Sequence, residues 1–204
     1  MTAHHADRTE DLLQKKRIIV GISGASGAQL GIELLNVLRA LPDWETHLIL
    51  SNGARRTIPG ETQYTVADVE ALADVVHPIG NIGASIASGS FRTAGMIIAP
   101  CSMKTLAGIA NGFSENLLLR AADVVLKEQR RLVLAPRETP LNKIHLRNML
   151  QAADAGAILV PPVLTCYQHP TSVQEMTHHI IGKMLDLFGI EMPGFKRWGK
   201  EIQP

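Results

Sequence analysis

Residues 17–27 read Arg-Ile-Ile-Val-Gly-Ile-Ser-Gly-Ala-Ser-Gly. A short β-branched run feeds a turn of glycines and serines, and from Ala28 onward apolar residues recur at helical spacing. Strand, glycine-rich turn and helix together form the opening unit of a parallel α/β sheet, with the helix N-terminus aimed at the turn. The turn does not fit the dinucleotide fingerprint GxGxxG, because Ser23 stands at its second glycine, and no Gly-Lys-Ser/Thr follows to make a Walker A loop. Nor does the second strand end in the acidic residue that would bond a ribose hydroxyl: it ends in Ser51, with Asp43 and Glu45 before it. A mononucleotide suits the loop better than a dinucleotide. Two readings stay open for the turn itself. Its N–H groups and the hydroxyls of Ser23 and Ser26 hold a phosphate favoured by the helix dipole, or the turn is a serine-capped helix start that binds nothing.

Further strands are expected at 46–51, 75–78, 95–100, 131–136 and 157–161, after the first at 17–22. Helices are expected at 28–40, 66–74, 104–110, 115–129, 141–153 and 172–188. Continuous apolar strands such as MIIAP and AILVP suit a parallel sheet covered on both faces. The fold class is therefore α/β, doubly wound and mostly parallel, of the Rossmann or flavodoxin type, in one domain over residues 17–204. Residues 1–16, MTAHHADRTEDLLQKK, read as a polar, flexible leader without a signal-peptide core.

The chain of 204 residues carries a formal net charge of +1, with 46% hydrophobic and 19% charged residues. That balance offers no bulk attraction to nucleic acid or an anionic membrane, and no apolar run approaches the roughly 20 residues of a membrane span. The two cysteines, Cys101 and Cys166, lack metal-ligand spacing and fit a reducing, cytoplasmic setting as packing residues. His178 and His179 are adjacent and point apart on a helix, so they make no metal site; His145 and His169 are assigned no catalysis.

Four expected strands end in polar turns: GISGASG, SNGA, PCSMKT and PRETP. In an open parallel sheet those turns gather along the carboxyl edge, where ligands bind. Arg120 and Lys127, seven residues apart, share one helix face. They form either a solvated basic face or part of an anion site. Arg137-Glu138 is either a surface ion pair or a phosphate clamp holding a carboxylate ready.

Taken together, GISGASGAQLG, SGSFRTAGM, APCSMKTLAGIANG, RAADVVLKEQRRLVLAPRETPLNKIHLRNML and the closing RWG resemble the UbiX/phenylacrylic acid decarboxylase family of flavin prenyltransferases, over roughly residues 17–200. The resemblance implies transfer of a dimethylallyl group from dimethylallyl monophosphate to N5 and C6 of reduced FMN. The product is the cofactor of UbiD-type decarboxylases. It also implies a homododecamer with sites between subunits, which the small residues of 107–112 would permit. By the same resemblance Gly24, Ala25, Ser26, Ser51, Ser102, Met103, Lys104, Thr105 and Arg137 contact FMN. Tyr167 and Lys183 hold the prenyl phosphate, with Lys127 and Arg120 in support. Ser26, Glu61, Glu138 and Lys127 serve the chemistry: Glu61 assists proton movement near the flavin, Glu138 exchanges a proton with the phosphate, and Ser26 relays one near N5. No DDxxD cluster is present to hold a phosphate through Mg²⁺, so no metal is expected and side-chain cations must stabilise the departing group.

The chain departs from the family pattern in two places. Val163-Leu-Thr-Cys-Tyr167 stands where the family has a Pro-Ala-Phe-Tyr-like run, and Lys183 replaces an arginine, exchanging a bidentate fork for a point charge. Two other functions compete. One is oxidative decarboxylation of a cysteinyl substrate, whose Pro-Ala-Ser-Ala-Asn motif is replaced here by Pro100-Cys-Ser-Met-Lys-Thr105. The other is a flavin carrier or accessory subunit of an aromatic-acid decarboxylase. Trp198 is expected to be buried, either over a neighbour's flavin pocket or as an anchor for the tail.

Overall fold

The computed structural model describes residues 15–199. The expected leader therefore lies almost wholly outside the described residues, as does the end of the tail. Six strands form one sheet: β1 (Lys16–Ile22), β2 (Trp44–Leu50), β3 (Val75–His77), β4 (Gly95–Cys101), β5 (Arg131–Pro136) and β6 (Ala157–Leu159). Their order is β3-β2-β1-β4-β5-β6, and every pairing is parallel. The helices are α1 (Ala28–Arg39), α2 (Ala54–Glu61), α3 (Val66–Glu70), α4 (Met103–Ala110), α5 (Leu117–Lys127), α6 (Lys143–Asp154) and α7 (Val173–Asp186), with a 3₁₀ turn at Ser85–Ala87.

The alternation of side chains along each strand divides the core in two. Ile18, Val20 and Ile22 of β1 join Leu48, Leu50, Ile97 and Val133 beneath α1, α2, α3 and α7. Ile19 joins Ile49, Met96, Ile98 and Leu134 beneath α4, α5 and α6. All seven residues of β4 are buried. A strand walled on both faces has no polar side to offer, which is why β4 reads as a continuous apolar run. Each fully buried Leu or Ile contributes about 1.5–3 kcal/mol, so these two layers supply most of the drive to fold.

The expected elements are all present, with ends shifted by a few residues. α2 was not anticipated. Its sequence ARRTIPGE carries Pro59 and Gly60 and buries only Ala54 and Ile58, so neither propensity nor an apolar stripe announces it. Two anchoring side chains against the core are enough to hold eight residues helical.

Candidate active site

The strand order reverses its winding between β1 and β4, and ligands settle in the crevice at such a point, beyond the carboxyl ends of the strands. The register aligns Ile22 with Leu50 and Gly21 with Ile98, so the loops after β1, β2 and β4 leave the sheet side by side.

Ser23 ties two of these loops together. Its side chain is fully buried; its hydroxyl donates to the Pro100 carbonyl at 2.8 Å and accepts the Ser102 N–H at 2.7 Å. The expectation that Ser23 offers its hydroxyl to a phosphate is corrected: both its hydrogen-bonding directions are spent within the protein. The first and second loops meet through glycine. A Cβ at Gly24 would lie 2.7 Å from the Gly53 Cα, and one at Gly53 would lie 2.8 Å from the Gly24 Cα. Only two bare backbones fit at that separation.

Gly27 takes φ 100°, a conformation natural to glycine, and opens α1 without a side-chain cap from its own position. The cap comes from elsewhere. Glu61, at the end of α2, accepts the N–H of Gly27 at 2.8 Å and of Ala28 at 3.3 Å. Partial burial alone would raise its carboxyl. The Gly27 N–H, the Ser26 hydroxyl, the Ala28 N–H and the Arg137 charge outweigh that and hold it below the ordinary value. A second correction follows: the amides at the α1 start, expected to hold a phosphate, already hold a carboxylate. The N–H groups of Gly24, Ala25 and Ser26 have no protein acceptor among the described residues, and Gly24 and Ser26 are exposed. That is the free donor set in the crevice.

The remaining walls come from three turns. Ser51 Oγ accepts the Ala54 N–H at 3.0 Å and so caps α2. Ser102 caps α4, accepting the Thr105 N–H at 3.3 Å and donating to Thr105 Oγ1 at 3.1 Å. Thr105 is buried as a result, while Met103 is half-buried and Lys104 exposed. After β5 the Arg137 N–H donates to the Cys101 carbonyl at 3.1 Å, which sets Arg137 beside the β4 turn, and Glu138 folds back to accept the Thr139 N–H at 3.0 Å. Ser26, Glu61 and Arg137, from three separate segments, therefore line the same carboxyl edge.

Four other residues do not join them. Arg120 pairs with Asp123 at 2.7 Å on the surface of α5. Lys127 ends that helix four residues before β5 begins, at the amino edge of the sheet, and pairs with Glu128. Arg130 next to it donates to the carbonyls of Gly89 and Phe91, at 2.6 Å and 2.8 Å, so the SGSFRT loop also lies at the amino edge. Tyr167 and Lys183 are exposed, one in the loop after β6 and one on α7. No hydrogen bond or ion pair among the described residues links any of these four to the Ser26–Glu61–Arg137 cluster.

Both cysteines are free. Cys101 is fully buried, and burial pushes its thiol up to about 12, consistent with a packing role; Cys166 is exposed, so the packing role expected for it does not hold. Trp198, expected to be buried, is 60% exposed and meets Tyr167 edge-on at 5.6 Å. Among the described residues no three His, Cys, Asp or Glu side chains cluster closely enough to hold a metal ion, and no helix is long and apolar enough to cross a membrane.

Sequence reasoning missed Gly53 as the counterpart of Gly24, and it missed the capping role of Glu61. A glycine at the start of each of two neighbouring loops was the available signal for the first. For the second there was none, because α2 itself was not legible.

A flavodoxin-like sheet with open amides at its switch point has the architecture in which nucleotides are bound. The sequence model of the Flavoprotein family matches residues 6–186. Flavin prenyltransferase UbiX of Neisseria meningitidis serogroup B is 55% identical over 183 residues, 90% of this chain and 96% of that protein. A dodecameric FMN-dependent UbiX-like decarboxylase from Escherichia coli O157:H7 superposes with TM-score 0.88 at 53% identity, covering 89% of this chain and 98% of that one. AnUbiX (PadA1), crystallised with FMN and dimethylallyl pyrophosphate, gives 0.89 at 51% identity over 91% and 98% of the two chains. The chain belongs to the Flavoprotein family and, within it, to the UbiX-like flavin prenyltransferases. The cypemycin decarboxylase CypD, at 18% identity and TM-score 0.60, shares the fold alone.

Proposed function

We propose that the protein transfers a dimethylallyl group from dimethylallyl monophosphate to N5 and C6 of reduced FMN, supplying a UbiD-type decarboxylase with prenylated flavin. The observation that carries this reading is the row of Gly24–Ser26 amides with no protein acceptor among the described residues, beside the Glu61-capped start of α1, at the switch point of a chain 55% identical to a UbiX flavin prenyltransferase.

The residues present fit FMN. The Gly24–Ser26 amides donate to no protein acceptor among the described residues, and the side-chain-free Gly24–Gly53 contact keeps the crevice floor thin enough for close approach of a flat ring. Gly24, Ala25, Ser26, Ser51 and the 102–105 turn would hold the cofactor, with Arg137 beside it. Reduced FMN, when bound, would supply N5 and C6 as nucleophilic positions. The bond to N5 would replace the allylic C–O bond, whose pair leaves with phosphate. The bond to C6 would use the alkene π pair, with one proton taken up by the alkene and one lost from each of N5 and C6.

This chain's own groups do the rest. Arg137 lowers the cost of negative charge in the crevice. Ser26, one residue before the Gly27 N–H that Glu61 accepts, would pass a proton from the ring edge toward that carboxylate. Glu138, exposed beside Arg137, exchanges a proton with the departing phosphate. Tyr167, Lys183, Arg120 and Lys127 bind the prenyl phosphate, with Lys127 supplied by a neighbouring copy in a homo-oligomer, since it stands at the amino edge of its own sheet. The E. coli relative is a dodecamer. The two free thiols suit a cytoplasmic enzyme.

Anaerobic incubation with reduced FMN and dimethylallyl monophosphate, followed by mass measurement of the released flavin, tests the reading. A gain of one five-carbon unit supports it. Unmodified FMN would instead indicate a carrier.

A further inference from the structure

Tyr167 is not left free in its loop. Its hydroxyl lies 2.9 Å from His179 Nε2 on α7. The carboxamide nitrogen of Gln168 contacts the same imidazole, nearer Nδ1 than Nε2. The imidazole therefore sits between two side chains of the loop, with Nε2 in hydrogen-bond reach of the phenol oxygen.

Aromatic contacts fix the arrangement from both sides. Phe195 stacks on the His179 ring at 5.3 Å and 27° and is itself seated on Gly182, where a Cβ would come within 2.2 Å of the phenyl ring. Trp198 meets Tyr167 edge-on. Partial burial first, and the Lys183 ammonium one helical turn away second, hold the imidazole below its ordinary value, so the neutral ring predominates near pH 7.

We propose that His179 is a positioning residue for the prenyl donor: its hydrogen bond holds the Tyr167 hydroxyl in place beside Lys183, toward a phosphate oxygen. This assignment rests on the proposed function, in which Tyr167 and Lys183 take that phosphate. His179 touches neither substrate.

The test uses the full chain loaded with reduced FMN. His179→Phe keeps an aromatic ring against Phe195 but removes the nitrogen that bonds the Tyr167 hydroxyl. It is expected to raise KM for dimethylallyl monophosphate about three- to tenfold, the worth of one neutral hydrogen bond, with a smaller change in kcat and unaltered FMN affinity and melting temperature. His179→Gln, whose amide nitrogen can reach the Nε2 position, is expected to restore KM to within about twofold of wild type. Adding His179→Phe to Tyr167→Phe is expected to cost nothing further, because both remove one interaction. An unchanged KM in His179→Phe, or full additivity with Tyr167→Phe, would overturn the assignment while wild-type prenylation still stood. A wild type that returns unmodified flavin would overturn the functional reading and this inference with it.

Discussion

The carboxyl-edge crevice and the outer surface of α5 and α7 are built on different terms. In the crevice, polar groups are tied to backbone from other segments: Ser23 to Pro100 and Ser102, Glu61 to Gly27 and Ala28, Ser102 to Thr105. On the outer surface, Arg120 and Lys127 pair with carboxylates one to three residues away on their own helix. Exposed pairs of that kind contribute about 0–1 kcal/mol and part easily. The crevice is therefore a finished surface in a single chain, whereas the basic groups are held loosely enough to exchange a carboxylate for a phosphate. Variants in the first region should disturb FMN retention, and variants in the second should disturb only the prenyl donor.

The largest expected effect crosses that division. Glu138→Gln keeps the shape and removes the proton acceptor, so kcat is expected to fall about 10²–10⁴-fold while FMN remains bound, as read by prenylated-flavin yield against flavin absorbance. Full activity would remove Glu138 from the mechanism. Next, Gly24→Val drives a branched side chain into the Gly53 backbone, which cannot swing aside. Overpacking of this order costs about 1–3 kcal/mol, expected as a lower melting temperature and purification without flavin. Ser23→Ala strips the partner from the Ser102 N–H and is expected to cost about 1–3 kcal/mol in denaturant titration; an unchanged midpoint would mean the loops hold together without it. Lys183→Arg should leave FMN affinity alone and tighten prenyl phosphate binding about threefold, by adding a second hydrogen bond to a point charge.

A pH measurement gives the smallest effect. The Glu61 carboxyl is lowered from 4.5 in the fold, so its contribution is fully present above that value and is lost as pH falls through the lower folded one. The wild-type melting temperature is expected to drop more steeply below pH 4.5 than that of Glu61→Gln. Parallel slopes would mean the α1 start needs no carboxylate.

How much could be read beforehand follows from the same contrast. β4 was legible because burial on both faces leaves only apolar residues in it, and β1 because the same holds from Ile18 to Ile22. The turns were legible because four strands ended in polar turns that a parallel sheet must gather along one edge. What escaped was whatever depends on a distant partner. Ser23 looks like any loop serine until Pro100 and Ser102 arrive from the far side of 77–79 residues. Glu61 looks like a surface acid until Pro59-containing α2 carries it to α1. Trp198 was expected to be buried because the chain has few aromatics, but its ring stays largely exposed and meets Tyr167 edge-on.

The buried hydroxyl of Ser23 has a thermodynamic corollary. By riveting one loop to the next it fixes the gap between them before any guest arrives, so docking a flat ring there asks for little further ordering. Flavin-free and flavin-loaded protein should then share the same floor, with entropy lost chiefly by the guest.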